Sequence, residues 1–129
     1  MMSMQMQMCR ESDWLTVCSI QGEIDVTNGS ELRDAVAEAL AQEQCWLLMD
    51  LLGAEYMDSV ALGIMIGAAK EASQHGGALA VACSRPNLVK LFEVTGTREL
   101  LNVQESRQAA CDLLAAARAA CARPQDGGE

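Results

Sequence analysis

Aromatic side chains are scarce in this sequence: two tryptophans, one tyrosine and one phenylalanine, at Trp14, Trp46, Tyr56 and Phe92. The core must therefore be built from Leu, Val, Ile, Ala and Met. Histidine is scarcer still, with His75 alone. The six cysteines, at 9, 18, 45, 83, 111 and 121, include no C-x-x-C pair. A single histidine and that spacing argue against a metal site, and most of these cysteines sit in apolar stretches where a thiol packs as a small hydrophobe. Buried thiols in a reducing compartment are expected, rather than disulfides. No apolar run approaches the roughly 20 residues of a membrane helix. Neither Gly-x-x-x-x-Gly-Lys-Ser/Thr nor Gly-x-Gly-x-x-Gly occurs, so nothing points to a nucleotide cofactor. Basic residues are few, nine against eighteen acidic, for a net charge of −9. Such a surface repels phosphate backbones and anionic lipid, which makes nucleic acid and membranes poor partners.

The 129 residues fit one domain, and 50% of them are apolar, enough for a core without disulfide staples. Met2 to Met8 alternates apolar with polar, the period of a half-buried strand. It lacks the basic-then-apolar order of a secretory signal, and a cytoplasmic location is expected. Arg10 to Asp13 reads as a turn and Trp14 to Ile20 as a second strand, the two forming an antiparallel hairpin. Gly22 to Gly29 reads as an irregular connection. Ser30 is placed as the N-cap of a first helix, with Arg33 where a capping box has Glu. Trp46 to Leu52 is a nearly continuous apolar run, as in a central parallel strand, followed by a loop from Gly53 to Met57. Asp58 caps a second helix running to about Gln74, which His75-Gly76-Gly77 ends. Ala78 to Cys83 is a further strand. Pro86 opens a short helix that Thr95-Gly96 closes. Leu100 to Val103 is a short last strand, and Glu105 to about Ala120 a final Ala-rich helix. Residues 122–129 are expected to form a frayed tail.

The stretch with chemical promise is Asp58-Ser59-Val60-Ala61-Leu62-Gly63. It places a serine in the first turn of a helix, where backbone amides lack intrahelical acceptors and the dipole is positive. An anion on the Ser59 oxygen would be tolerated there. The plainer alternative is that Asp58-Ser59 only starts a helix. A hydrolase nucleophile is not supported: the sole histidine lies 16 residues on, about 24 Å along the same helix. Asp50, at a strand end, lacks the acidic pair and the lysine that a phosphoacceptor of the receiver type would want. Gly63 and Gly67, four apart, are expected to let the helix pack closely on the sheet. Met57 and Met65 are candidates for an adaptable docking surface.

Together these segments resemble the STAS family. The run Asp58 to Gly63, after a strand ending in Asp50-Leu51, is similar to its Asp-Ser-Ser/Thr-Gly-Leu-Gly signature. Gly22-Glu23-Ile24-Asp25 resembles its Gly-Glu-Leu-Asp loop, and Gly76-Gly77-Ala78-Leu79 its Gly-Gly-x-Leu turn. Val89 to Gly96, with Leu91-Phe92-Glu93-Val94-Thr95-Gly96 at its end, resembles the family's third helix. The set spans nearly the whole chain in order. Val60 stands where the family has Ser or Thr, and Ala61 where it has Gly, which leaves Ser59 the only hydroxyl acceptor in the signature.

The resemblance implies an α/β fold: a STAS-like domain over residues 1–121, with a mixed sheet of four or five strands and helices mainly on one face. It implies an anti-sigma factor antagonist, a binding module and not an enzyme, needing no cofactor. Its implied partners are an anti-sigma factor that is also a serine kinase, and a serine phosphatase that acts on phospho-Ser59. Ser59 would be the phosphorylated residue. Asp25, Met57, Asp58, Val60, Leu62 and Gly63 would form the partner-binding surface. The alternative within the same fold is a scaffold subunit of a signalling assembly, or an accessory subunit of an ABC-type lipid transporter.

Overall fold

The alternating N-terminal methionines belong to an edge strand. In the computed structural model, which describes residues 4–42 and 44–121, β1 (Gln5–Arg10) pairs antiparallel with β2 (Leu15–Ile24), Met8 opposite Cys18. Met4, Met6 and Met8 turn toward the core while Gln5, Gln7 and Cys9 face solvent. The hairpin turn is fixed by Arg10, which donates to the Asp13 carbonyl at 2.6 Å, and by the Ser12 hydroxyl, which accepts from the Leu15 amide. Residues 1–3 and the expected tail at 122–129 lie outside the described residues.

From β2 onward each parallel strand is reached through a helix, as parallel pairing requires. The order is α1 (Gly29–Leu40), β3 (Trp46–Met57), α2 (Ser59–Gln74), β4 (Ala78–Ala82), α3 (Pro86–Val94), β5 (Val103–Gln104) and α4 (Arg107–Cys121). The sheet runs β1-β2-β3-β4-β5, mixed because only the β1–β2 pair is antiparallel.

Side-chain alternation splits the core in two. Ile20, Leu47, Met49, Leu51, Leu79 and Val81 face a layer made by α1, α2 and α3, including Leu32, Val36, Met65, Leu88 and Phe92. Val17, Trp46, Leu48, Ala80 and Ala82 face α4 through Ala110 and Leu114. Three helices thus lie on one face and one on the other. Each fully buried Leu or Met of this set contributes roughly 1.5–3 kcal/mol. Arg107, at the start of α4, reaches Asp50 at 3.3 Å and Glu11 at 2.9 Å. Asp50 is therefore an ion-paired strand residue holding α4 to the sheet. The six cysteines are free thiols, with Cys18, Cys45 and Cys83 buried; burial pushes the Cys18 thiol up to about 11.

Several boundaries differ from the sequence expectation. The connection expected at Gly22–Gly29 is strand as far as Ile24, and the loop expected at Gly53–Met57 is the second half of β3. The two pair with each other out to Ile24 opposite Met57, with register shifts on the way. An irregular register spaces the buried residues Leu51, Ala54 and Met57 by three rather than two, which hides the strand from a period-two search. Asn28, not Ser30, precedes α1, and its side chain makes no cap bond. It is engaged instead with the preceding loop, accepting from the Asp25 amide at 3.0 Å and donating to the Glu23 carbonyl at 2.9 Å. The last strand starts only at Val103, because 98–102 form turns ending in Asn102 at φ 51°, whose amide side chain donates to the Leu79 carbonyl.

Candidate functional site

The carboxyl ends of β2 and β3 lie side by side, so the segments that follow them emerge together. The Asp58 amide donates to the Ile24 carbonyl at 3.1 Å and closes this end of the ladder. Asp58 is extended (φ −100°, ψ −176°), and its carboxylate accepts from the Ala61 amide at 3.1 Å. Its carbonyl takes the Leu62 amide, which starts α2. The expected cap is thus present, with the geometry an Asp cap requires.

Ser59 follows as the first residue of α2 and is exposed. Among the described residues its hydroxyl has no hydrogen-bond partner, and the Ser59 and Val60 amides have no protein acceptor. The helix tip is therefore open to an anion.

Asp25 stands at the same end of the sheet, in the loop after β2. Its carboxylate accepts from the Thr27 hydroxyl and from the Thr27 amide at 2.9 Å. These bonds, the hydroxyl's first, hold the carboxyl below its usual range. The Asn28 amide donates to the Asp25 carbonyl at 3.2 Å, so the loop is tied to itself and rests on β2.

The expected docking residues divide by exposure. Asp25 and Asp58 are half-buried, Val60 is 38% exposed, and Gly63 is open to solvent. Met57 and Leu62 are not available for docking. They are 3% and 6% exposed, and both belong to the layer beneath the helices. Met65, expected to join an adaptable surface, is fully buried. Leu62 and Met65 sit three residues apart on the stripe of α2 that faces the sheet, the spacing that places both in the core.

Gly63 and Gly67 also differ from expectation. A Cβ on either would meet nothing within 4 Å, so neither brings α2 close to the sheet. The close approach is made by Gly29, where a Cβ would lie 3.3 Å from Val60 Cγ1 and 3.7 Å from Ile64 Cδ1. Gly29 pins the first turn of α1 against the first turn of α2. Beside that contact a groove of about 470 Å³ runs between the two helices, lined by Arg33, Val36 and Ala37 from α1 and by Ser59, Gly63 and Gly67 from α2. Gly29 and Val60 are distant in sequence and no local pattern pairs them, so the groove has no signature in the sequence. Arg33 was visible only as an oddity in a supposed capping box.

The sole histidine, His75, follows the other end of α2 and is not at this site. Among the described residues no three His, Cys, Asp or Glu side chains converge as metal ligands, and no helix is long and apolar enough to cross a membrane. What the arrangement offers is an exposed hydroxyl on a positive helix tip next to the Asp58 cap, an exposed valine and an open groove, with the Asp25 loop at the same end of the sheet.

The family model described as STAS domain matches residues 7–110. The anti-sigma-B factor antagonist of Bacillus subtilis is 33% identical over 85 residues, 66% of this chain and 77% of that protein. A crystal structure of an anti-sigma factor antagonist from Mycobacterium paratuberculosis superposes with a TM-score of 0.80 at 21% identity, covering 88% of this chain and 95% of that one. The Bacillus cell fate determinant SpoIIAA in its phosphorylated form superposes with a TM-score of 0.67 at 19% identity, covering 84% and 98%.

Proposed function

The chain belongs to the STAS domain family, and from that membership we propose that it is an anti-sigma factor antagonist switched by phosphorylation of Ser59. In its unmodified form it docks on an anti-sigma factor, itself a serine kinase, and thereby releases a sigma factor in the cytoplasm. The kinase transfers a phosphoryl group to the Ser59 oxygen, and a serine phosphatase removes it. The chain binds and is modified; it catalyses nothing in this cycle. The similarity to the Bacillus subtilis anti-sigma-B factor antagonist supports the partner class.

The observation that carries the switch is the state of Ser59: exposed, without a hydrogen-bond partner among the described residues, and held on a helix capped independently by Asp58. Modifying it breaks no contact of the fold. A phosphate brings about −1.5 to −2 charges to a surface already bearing Asp25 and Asp58. Against a partner carboxylate ~5 Å away, each unit charge at an effective dielectric of ~20 costs about 3 kcal/mol, a weakening of more than a hundredfold. Against an apolar partner surface seated on Val60, the dianion would have to be desolvated, which is also unfavourable. Gly63 and Val60 supply the exposed contact surface, while Met57 and Leu62 support it from below.

Incubation with the cognate kinase and ATP tests the reading. The intact mass should rise by one phosphoryl group, and a Ser59→Ala variant should gain none. Modification at another residue in the wild type would refute the assignment.

A further inference from the structure

We infer that Arg33 receives the phosphate of phospho-Ser59 within the same molecule, its guanidinium reaching along the groove between α1 and α2 to hold the phosphoryl oxygens. This rests on the reading of Ser59 as the modified residue and adds to it a device by which the fold itself detects the modification.

Position comes first. Arg33 and Ser59 line the same groove from opposite helices. The helices are pinned together where Gly29 meets Val60, next to Ser59. Arg33 lies one turn beyond Gly29 on the same face of α1, about 6 Å along the axis. Side chains on a helix lean toward its N-terminus, a geometry that lets the guanidinium of Arg33 reach back toward the Gly29–Val60 contact and the tip of α2.

Space and charge agree. The absence of a side chain at Gly63, one turn along α2 from Ser59, leaves the groove beside that hydroxyl open for a long cation to cross. Arg33 has no ion pair or side-chain hydrogen bond among the described residues. Its neighbours at three and four residues along α1 are Gly29, Ser30, Val36 and Ala37, none of them charged, so no helical pair occupies it. The other charged residue lining the groove, Glu71, is twelve residues along α2 from Ser59, about 18 Å away. Asp58 precedes the hydroxyl in the chain and Asp25 stands at the same end of the sheet, so both worsen the surroundings of a dianion. Arg33 is the cation placed to offset them, and a guanidinium matches phosphate through paired N–H donors where an ammonium does not. Phosphorylation would then close the groove mouth and occupy Arg33 in a single event.

The test installs phosphoserine at position 59 by genetic encoding, so that no kinase is needed, and follows its second ionisation by phosphorus NMR. Wild type is compared with Arg33→Gln and Arg33→Lys, with circular dichroism to verify that each folds. Asp25 and Asp58 are common to all three and cancel. The midpoint should lie lower in the wild type than in the Arg33→Gln variant by roughly 0.5 unit, a threefold change in proton affinity, with the lysine variant between them. The Arg33 Nε–H resonance should shift on modification. Equal midpoints in wild type and Arg33→Gln would overturn the inference while leaving Ser59 as a kinase target intact. Failure of the kinase to label Ser59 would sink the underlying reading and not the clamp.

Discussion

The Asp58 amide donates to the Ile24 carbonyl at 3.1 Å, and this one bond joins the ends of β2 and β3 at the candidate site. Ile24 is fully buried, so the bond is anchored in the core. One residue after Ile24 stands Asp25, and one residue after Asp58 stands Ser59. The Asp25 loop and Ser59 leave the sheet at the same end because two parallel strands end at the same level. The backbone beneath Ser59 is thus fixed by the ladder, and the exposed groups stand on its rim.

Replacing Ser59 with Asp should separate binding from stability. A charge at the first helical position favours the dipole by about 0.3–1 kcal/mol and is opposed by Asp58 and Asp25 next to it. The net change in unfolding free energy should stay within about 1 kcal/mol, while affinity for the anti-sigma partner falls about tenfold or more, calorimetry reading both. A sharp drop in melting temperature would mean that Ser59 is structural.

Asp58 should behave oppositely. Asp58→Ala removes the acceptor for the Ala61 amide and should cost about 1 kcal/mol in urea unfolding. Asp58→Asn keeps a capping oxygen and should recover most of that loss. If both variants unfold like the wild type, α2 does not depend on this cap.

The contrast between these neighbours explains what was legible in the sequence. The cap at Asp58, the helix to Gln74 and the exposure of Ser59 follow from local chemistry, and a sequence shows local chemistry directly. The second half of β3 was hidden because its irregular pairing with β2 replaces alternation by a spacing of three, at Leu51, Ala54 and Met57. Asn28 was passed over as the residue before α1 because it serves the Asp25 loop and not the helix. The groove was invisible because it depends on how far Gly29 lets two helices approach. Leu62 and Met57 were read as surface from their nearness to Ser59, although helical and strand geometry turn neighbouring residues to opposite sides.

Asp25 offers a pH test with a definite sign. Hydrogen bonds from Thr27 lower its folded pKa below the value of 3.8 expected for a free carboxyl. Its contribution to stability is therefore complete above the unfolded pKa and disappears as pH falls through the folded one. Thr27→Ala removes the hydroxyl bond and should raise the Asp25 midpoint, followed by carbon NMR of the carboxyl. The stability advantage of wild type over the variant should shrink on acidification below about pH 4. An unchanged midpoint would show that the Thr27 hydroxyl does not engage Asp25 in solution.

Two glycines make the final test, because one substitution should act in opposite directions. Gly77 leads into β4, and a Cβ there would lie 1.9 Å from the Cys45 carbonyl oxygen. That oxygen is backbone and accepts from the Ala78 amide at 3.1 Å, so relief of the clash must disturb the start of the β3–β4 ladder. Gly77→Ala should destabilise by about 2–4 kcal/mol. Gly67 lies mid-helix with open space where its side chain would be, and Gly67→Ala should stabilise by about 0.8–1 kcal/mol through helix propensity alone. Denaturant unfolding of the two variants measures both effects against one baseline. Were Gly67→Ala destabilising, the groove would have to be filled in solution by α1 itself.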